Sequence, residues 1–246
     1  MTTKSRIEWT ESTWNPVVGC TKLSAGCKHC YAETMARRLQ AIGVVGYENG
    51  FSEIRTLPFR LIEPLLKKKP TIYFVNSMSD LFHPQVPESF IDRVFDVMRD
   101  CPHHTFQVLT KRADRLADYT MERVVPDNVW VGVSVENKRH GVPRIAQLQT
   151  AKAETKFLSI EPLLEDIGNL NLLGINWVIV GGESGHGARG MNPAWVKNVK
   201  RQCDFQGISF FFKQWGAFGS DGQRRNKKAN GRELDGKTWD AMPAYQ

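Results

Sequence analysis

No apolar run in this 246-residue chain approaches the ~18 residues that a membrane-spanning helix needs. The clearest run, Trp177 to Val180, has the length of a strand, so no membrane partner is expected. The first residues, Met1 to Trp9, are polar and lack the apolar core of a secretory signal, which makes the cytoplasm the expected compartment. Cysteine is scarce and odd in number, five in all, which argues against a disulfide framework. No recognised DNA- or RNA-reading motif is present. Charge of one sign is only mildly in excess: 33 Lys+Arg against 26 Asp+Glu leave 33 − 26 = +7, compatible with an anionic partner such as DNA or RNA but not diagnostic of one. A composition of 41% hydrophobic, 24% charged and 10% aromatic residues excludes a disordered chain, a collagen-like chain and a disulfide miniprotein. The length suits one barrel-sized domain or two small ones.

What is present is a cluster of cysteines. Cys101 and Cys203 fall near the ends of amphipathic stretches and read as small core residues. The other three form Cys20-x6-Cys27-x2-Cys30 in a loop spanning residues 15–31, where Pro16, Gly19 and Gly26 allow the chain to fold back and aim three thiolates at one point. Two metals suit three thiolates. A structural zinc needs a fourth ligand, for which His29 is the local candidate. A [4Fe–4S] cluster held by three cysteines leaves one iron open for a substrate or cofactor.

Beyond this loop the spacing of Tyr31, Met35 and Leu39 predicts a helix over Tyr31–Ile42. An aperiodic Gly-rich stretch (Gly43 to Leu57) and a short basic helix (Pro58 to Lys69) follow. Strand–helix alternation then sets in. Strands are predicted at Thr71–Val75, Thr105–Leu109, Val129–Val133, Lys156–Ile160, Trp177–Val180 and Ile208–Phe212. The predicted helices are Glu88–Cys101, Arg112–Thr120, Val142–Thr150 and Asn192–Phe205, with a shorter connection at Leu163–Leu173. Continuous apolar strands at this pitch imply a parallel sheet buried on both faces. Six clear strands, with a weak one ahead of Cys20, predict an α/β fold: a partial (β/α)6-type barrel of parallel strands with the cysteine loop on its N-terminal side. A doubly wound sheet is the alternative. The barrel domain is expected over residues 1–218. Residues 219–246, with Arg224, Arg225, Lys227 and Lys228, are expected to form a basic polar extension, either solvated or gripping phosphates.

In parallel α/β folds the site lies at the C-terminal strand ends. Here those ends carry Asn76, Ser77 and Asp80; Lys111 and Arg112; Ser134 and Glu136; Ser159 and Glu161; Gly181, Gly182, Glu183 and Ser184; and Lys213 and Gln214. Six polar ends in succession point to a lined cavity. The glycines Gly181 and Gly182 allow backbone to approach a ligand, or simply make a tight turn. Glu161, Glu183 and Lys213 are the candidate catalytic groups. The two glutamates are also a carboxylate pair fit for a barrel hydrolase with a structural zinc at the cysteines. A third alternative is a non-catalytic nucleic-acid-binding protein, with Lys197, Lys200 and Arg201 as the candidates to track phosphates.

The stretch Asn15-Pro16-x-x-Gly19-Cys20 through Gly26-Cys27-x-x-Cys30-Tyr31-Ala32 resembles the cluster loop of radical S-adenosylmethionine (radical SAM) enzymes, most closely the branch similar to spore photoproduct lyase. The whole chain, including Ile7-Glu8-Trp9-Thr10, Ser159-Ile160-Glu161-Pro162 and Phe212-Lys213-Gln214-Trp215-Gly216, also resembles a phage- and prophage-associated three-cysteine family of undefined function. The resemblance implies that Cys20, Cys27 and Cys30 hold a [4Fe–4S] cluster whose open iron takes SAM, with an external reductant driving cleavage to a 5′-deoxyadenosyl radical. Its implied substrate is a nucleic acid or nucleotide. Tyr31 is then expected near the adenine, Asn76, Ser77 and Asp80 near the SAM amino group, and Ser134 and Glu136 near the ribose. Lys111, Gly181, Gly182 and Ser184 complete the cofactor-binding set. This sequence departs from the usual Cys-x3-Cys-x2-Cys by three extra residues, which cost only about a few tenths of a kcal/mol in closure entropy. His29 stands where an aromatic is usual, and the Gly-Gly-Glu motif comes late. No cysteine occupies a strand end as thiol hydrogen donor, so the photoproduct-lyase reaction is not implied.

Overall fold

The computed structural model describes residues 3–5 and 7–244. Met1, Thr2, Arg6, Tyr245 and Gln246, included in the reading of the two ends, lie outside the described residues. The chain forms two compact units, one of Met1–Leu23, Cys30–Val131 and Ala151–Glu154, the other of Ser24–His29, Gly132–Thr150 and Thr155–Gln246.

In the first unit, strands β1 (Ser12–Trp14), β2 (Ile72–Val75) and β3 (Thr105–Thr110) pair in parallel in chain order, and Thr3–Lys4 adds antiparallel to β1. The start of β4 (Val129–Ser134) follows β3, where the Phe106 N–H donates to the Asn128 carbonyl at 2.8 Å. Helices α1 (Tyr31–Ala41), α2 (Glu88–Arg99) and α3 (Ala113–Glu122) belong to this unit. α2 buries Phe90, Val94, Val97 and Met98, the stripe its spacing predicts, together with Ile91 and Phe95.

In the second unit the end of β4 is followed by β5 (Thr155–Ile160), β6 (Trp177–Gly181) and β7 (Ser209–Gln214), again parallel and sequential. Helices α4 (Pro143–Thr150) and α5 (Pro193–Gln206) accompany them. Asn192 caps α5 by accepting from the Ala194 N–H, and Gly207 closes it in the left-handed conformation. Every residue of β4 and β6 is buried, which is why both strands are continuous apolar runs rather than alternating ones.

Seven parallel strands with intervening helices make this the α/β, partial-barrel class that the alternation predicts; β1 is the weak strand ahead of Cys20. The strand order reverses in neither unit, so the doubly wound alternative does not hold. Three details differ from the sequence reading. α1 buries Ala32 and Ala36, while Tyr31 and Met35 face outward. Its small residues let the helix sit close on Val18, Tyr47, Leu57 and Met78. The basic helix after Leu57 is only a 3-10 turn (Pro58–Arg60) and one short α-helical turn, Ile62–Leu65. The Leu163–Leu173 connection is irregular chain with a bend at Glu165 and no helix.

The segment from Gly219 is not a separate tail. The Phe212 N–H donates to the Trp239 carbonyl at 2.8 Å, and the Trp177 indole N–H donates to the Ala241 carbonyl at 2.8 Å. The Lys200 ammonium lies 3.8 Å from the Trp239 ring centre and pairs with Asp204. Lys200 therefore packs rather than tracking phosphates. Lys197 pairs with Asp235 at 2.6 Å, and Arg201 donates to Asn198.

Candidate functional site

Within the first unit the residues after β2 hold the start of the cysteine loop. Asn76 sits at φ +58°, the left-handed region that asparagine tolerates better than most residues, and its Oδ1 accepts from the Val17 N–H at 3.2 Å. Asn15 Oδ1 accepts from Ser77 Oγ (3.2 Å) and the Met78 N–H (3.0 Å), while Ser79 Oγ donates to the Val17 carbonyl at 2.7 Å. The Tyr31 hydroxyl donates to the Ser77 carbonyl. Gly19 is required where it stands: at φ +83° a Cβ would fall 1.9 Å from the Glu53 carbonyl oxygen.

Asp80 is the hub of this end. It accepts from Thr110 Oγ1 (2.7 Å), the Phe82 N–H (3.0 Å), the Lys111 N–H (3.3 Å) and Arg112 Nη1 (2.7 Å). Arg112, also buried, reaches Cys20 Sγ from Nη1 at 3.9 Å, and Thr21 Oγ1 and the Thr21 carbonyl from Nη2 at 3.1 and 3.5 Å. Burial pulls the Arg112 pKa down, but the charges of Asp80 and then Cys20 outweigh it and hold it above the ordinary value. Thr21 Oγ1 also bonds His83 Nε2 at 2.8 Å, and burial, then Arg112, lowers the His83 pKa.

Within the second unit Ser24–His29 is held by a different set. Glu183, after β6, is gripped by Arg189 through Nη2 (2.6 Å), Nε (2.7 Å) and its backbone N–H (2.9 Å). Arg189 Nη2 also donates to the Ala25 carbonyl at 3.1 Å. Burial pushes the Glu183 carboxyl up, but the Arg189 hydrogen bonds overcome it and leave the group below the usual carboxylate range. Glu136 is fully buried and pairs with Arg144 at 2.7 Å, and Arg144 also donates to the Ser134 carbonyl at 2.7 Å. A Cβ on Gly26 would stand 3.2 Å from Glu136 Cγ, so the loop lies directly on that carboxylate stem. The His29 ring lies over Gly187, where a Cβ would come within 3.0 Å of it.

Glu161 pairs with Lys213 at 3.1 Å and accepts from Ser159 Oγ at 3.4 Å. The glycines after β6 have protein neighbours: a Cβ on Gly181 would fall 2.4 Å from Glu161 Oε1, and one on Gly182 would fall 1.9 Å from the Trp215 carbonyl oxygen. Gly216, at φ +86°, makes the reciprocal approach to the Glu183 carbonyl. Gly182 and Gly216 thus lock two chain segments together through a close backbone approach. Ser184 is exposed and accepts from Gln214 Nε2 at 3.0 Å.

The sequence-predicted residues are therefore at the strand ends, but most of their polar groups face the cysteine loop or one another. Arg144 and Arg189 are the functional residues that sequence reasoning missed, and Arg112 was noted only as a strand-end residue. A usable signal existed: Arg144 and Arg189 follow a strand-end glutamate by eight and six positions.

None of the five cysteines is in a disulfide. Cys101 and Cys203 are buried, and burial pushes the Cys203 thiol up to about 12. Cys20, Cys27 and Cys30 are half-buried. Among the described residues no group of three or more His, Cys, Asp or Glu side chains stands in metal-binding geometry. The donor chemistry nonetheless fits a thiolate-bound cluster: three thiols close in sequence and outside any disulfide, with a buried cation against the first of them. Among the described residues no helix is long and apolar enough to cross a membrane.

Fold and site together define an α/β partial-barrel protein with a three-cysteine loop clamped by strand-end residues. Residues 4–243 match the family described as Protein of unknown function (DUF5131), and the chain belongs to that family. No curated protein matches the chain. Among solved structures it is similar to a spore photoproduct lyase mutant with dinucleoside spore photoproduct (11% identity, TM-score 0.47). It is also similar to a spore photoproduct lyase mutant with bound AdoMet and dinucleoside spore photoproduct (11% identity, TM-score 0.45). Each match covers 82% of this chain and 63% of the lyase chain, so this chain spans less than two thirds of that protein's length.

Proposed function

We propose that the chain is a radical SAM-type iron–sulfur enzyme acting on a nucleic acid or nucleotide, in repair or modification. The observation that carries the reading is the loop itself: three half-buried cysteines, none in a disulfide, on a segment that Asn76, Ser77, Asp80 and Arg112 fix in one unit and Glu183 and Arg189 fix in the other. A loop that served only as a surface connection would not need two buried or part-buried arginine–carboxylate pairs to hold it. Cys20, Cys27 and Cys30 are the residues that would hold a [4Fe–4S] cluster. With SAM at its open iron, and an external reductant, such a cluster supplies reductive cleavage of SAM.

The chain's own residues have separable duties in this reading. Asn15, Asn76 and Ser79 set the path of the backbone into Cys20. Asp80 orients Arg112, and Glu183 orients Arg189, so that both cations face the loop. Tyr31, 57% exposed and next in sequence to the last cysteine, is the residue that would meet an adenine. Glu161 and Lys213 form a charged pair at the ends of β5 and β7, placed to bind polar substrate groups. A hydrolase using Glu161 and Glu183 finds less support: Arg189 engages both carboxylate oxygens of Glu183, and Glu161 is paired with Lys213.

Anaerobic reconstitution with iron and sulfide tests the reading. The expected result is a brown protein that releases 5′-deoxyadenosine from SAM under dithionite. A colourless protein with one bound zinc, or a cluster-bearing protein that never cleaves SAM in the presence of DNA, RNA or nucleotides, overturns it.

A further inference from the structure

Arg112 makes a contact that the proposed function does not use. The residue is 8% exposed, its Nη1 is shared between Asp80 Oδ2 (2.7 Å) and Cys20 Sγ (3.9 Å), and its Nη2 ties down Thr21. Arg112 is itself held in place. Asp80 is fixed by Thr110 Oγ1 and two backbone N–H groups, and the Arg112 N–H donates to Thr110 Oγ1 at 2.9 Å. A cation that only neutralised Asp80 would not need to reach the sulfur, and one that only held the backbone would do so through Thr21 alone.

We infer that Arg112 is a positioning residue for Cys20: a buried, Asp80-anchored cation that donates to the Cys20 sulfur and sets the reduction potential of whatever iron–sulfur centre that sulfur ligates. The inference rests on the iron–sulfur reading above. Hydrogen bonds to ligand sulfurs and net local charge are the protein's main means of moving such potentials. Adding an electron makes the centre more negative, so a fixed positive donor at one sulfur favours the reduced form. The guanidinium can keep Asp80 and Cys20 as simultaneous partners because its donors are arranged in a rigid fork; an ammonium at the same place keeps the charge and loses the fork.

The test compares reconstituted wild-type protein with Arg112→Gln and Arg112→Lys, measuring iron and sulfide content and then titrating the centre against dithionite under EPR detection. Arg112→Gln is expected to retain the centre but hold about tenfold less of it reduced at a fixed applied potential, equivalent to about 59 mV for one electron. Its EPR spectrum should change as well. Arg112→Lys should recover part of the potential. If Arg112→Gln does not fold, Asp80→Asn, which frees Arg112 without removing it, takes its place and should alter the potential and the EPR spectrum. A wild-type centre whose potential and spectrum are unchanged in every folded variant overturns the role of Arg112 while leaving the proposed function standing. A wild-type protein that takes up no iron–sulfur centre overturns both.

Discussion

Removing the guanidinium of Arg189 is the sharpest perturbation of the loop clamp. In the native protein Glu183, 7% exposed, receives two side-chain donors and one backbone donor from Arg189, and only the backbone donor survives in Arg189→Ala. Breaking a buried ion pair costs about 3–5 kcal/mol. The Arg189 side chain is 32% exposed, however, so solvent screens part of the loss and about 2 kcal/mol is the better figure. For a chain of this size that is a fall of about 6 °C in melting temperature. The pH dependence carries a definite sign. The native Glu183 pKa lies below its unfolded value, so the pair contributes its full stability above the ordinary carboxylate range and loses it as pH falls through the folded value. In the variant, burial without the arginine reverses the shift. The stability gap should therefore be widest near pH ~7 and narrow by pH ~5, as protonation relieves the uncompensated charge. Urea unfolding at the two pH values measures both quantities. Because Arg189 also holds the Ala25 carbonyl, Cys27 of the folded variant should alkylate faster than in wild type. A gap below about 0.5 kcal/mol, the scatter of ordinary surface substitutions, or one independent of pH, would refute the assigned role.

The remaining expectations concern the same architecture. Gly182→Ala drives a methyl to 1.9 Å from the backbone oxygen of Trp215, whereas Gly181→Ala meets the end of the Glu161 side chain, which can move. Thermal melts should show Gly182→Ala destabilised by about 3 kcal/mol or more and Gly181→Ala by clearly less, and equal losses would contradict the interlock. In the metal-free protein a thiol reagent should find three fast cysteines and two slow ones; Cys203→Ala should remove a slow one, and a fast Cys203 would contradict its burial. Ending the chain at residue 218 strips the Trp239 carbonyl from β7 and the Ala241 carbonyl from the Trp177 indole, so the shortened protein should melt well below wild type rather than behave as if a solvated tail had been removed.

The sequence was most legible where one local rule dominated. Six of the seven parallel strands were found because buried parallel strands are continuous apolar runs, and the α2 stripe because its apolar residues repeat on one face. α1 misled for a physical reason: its large residues, Tyr31 and Met35, follow the helical spacing but point outward, and alanines make the close contact. Composition hid the fold of the C-terminal segment in the same way. Its basic residues suggest solvation, yet two hydrogen bonds accepted by the Trp239 and Ala241 carbonyls seat it on β7 and Trp177.

At the site, the sequence by itself determined which side chains are available: three spaced cysteines in a glycine-bracketed loop, and a polar group at the end of each strand. These follow from residue type and from strand direction, both local properties. Only the tertiary structure decided what those groups do, because partners such as Asp80 and Arg112, or Ala25 and Arg189, are far apart in the chain and meet only when the strands pair. In the folded chain Asn76, Ser77 and Asp80, expected near the SAM amino group, and Glu183, expected to be catalytic, also hold the cysteine loop, directly or through an arginine. It also brought the Arg112 cation to the Cys20 sulfur, a contact that no spacing in the sequence announces.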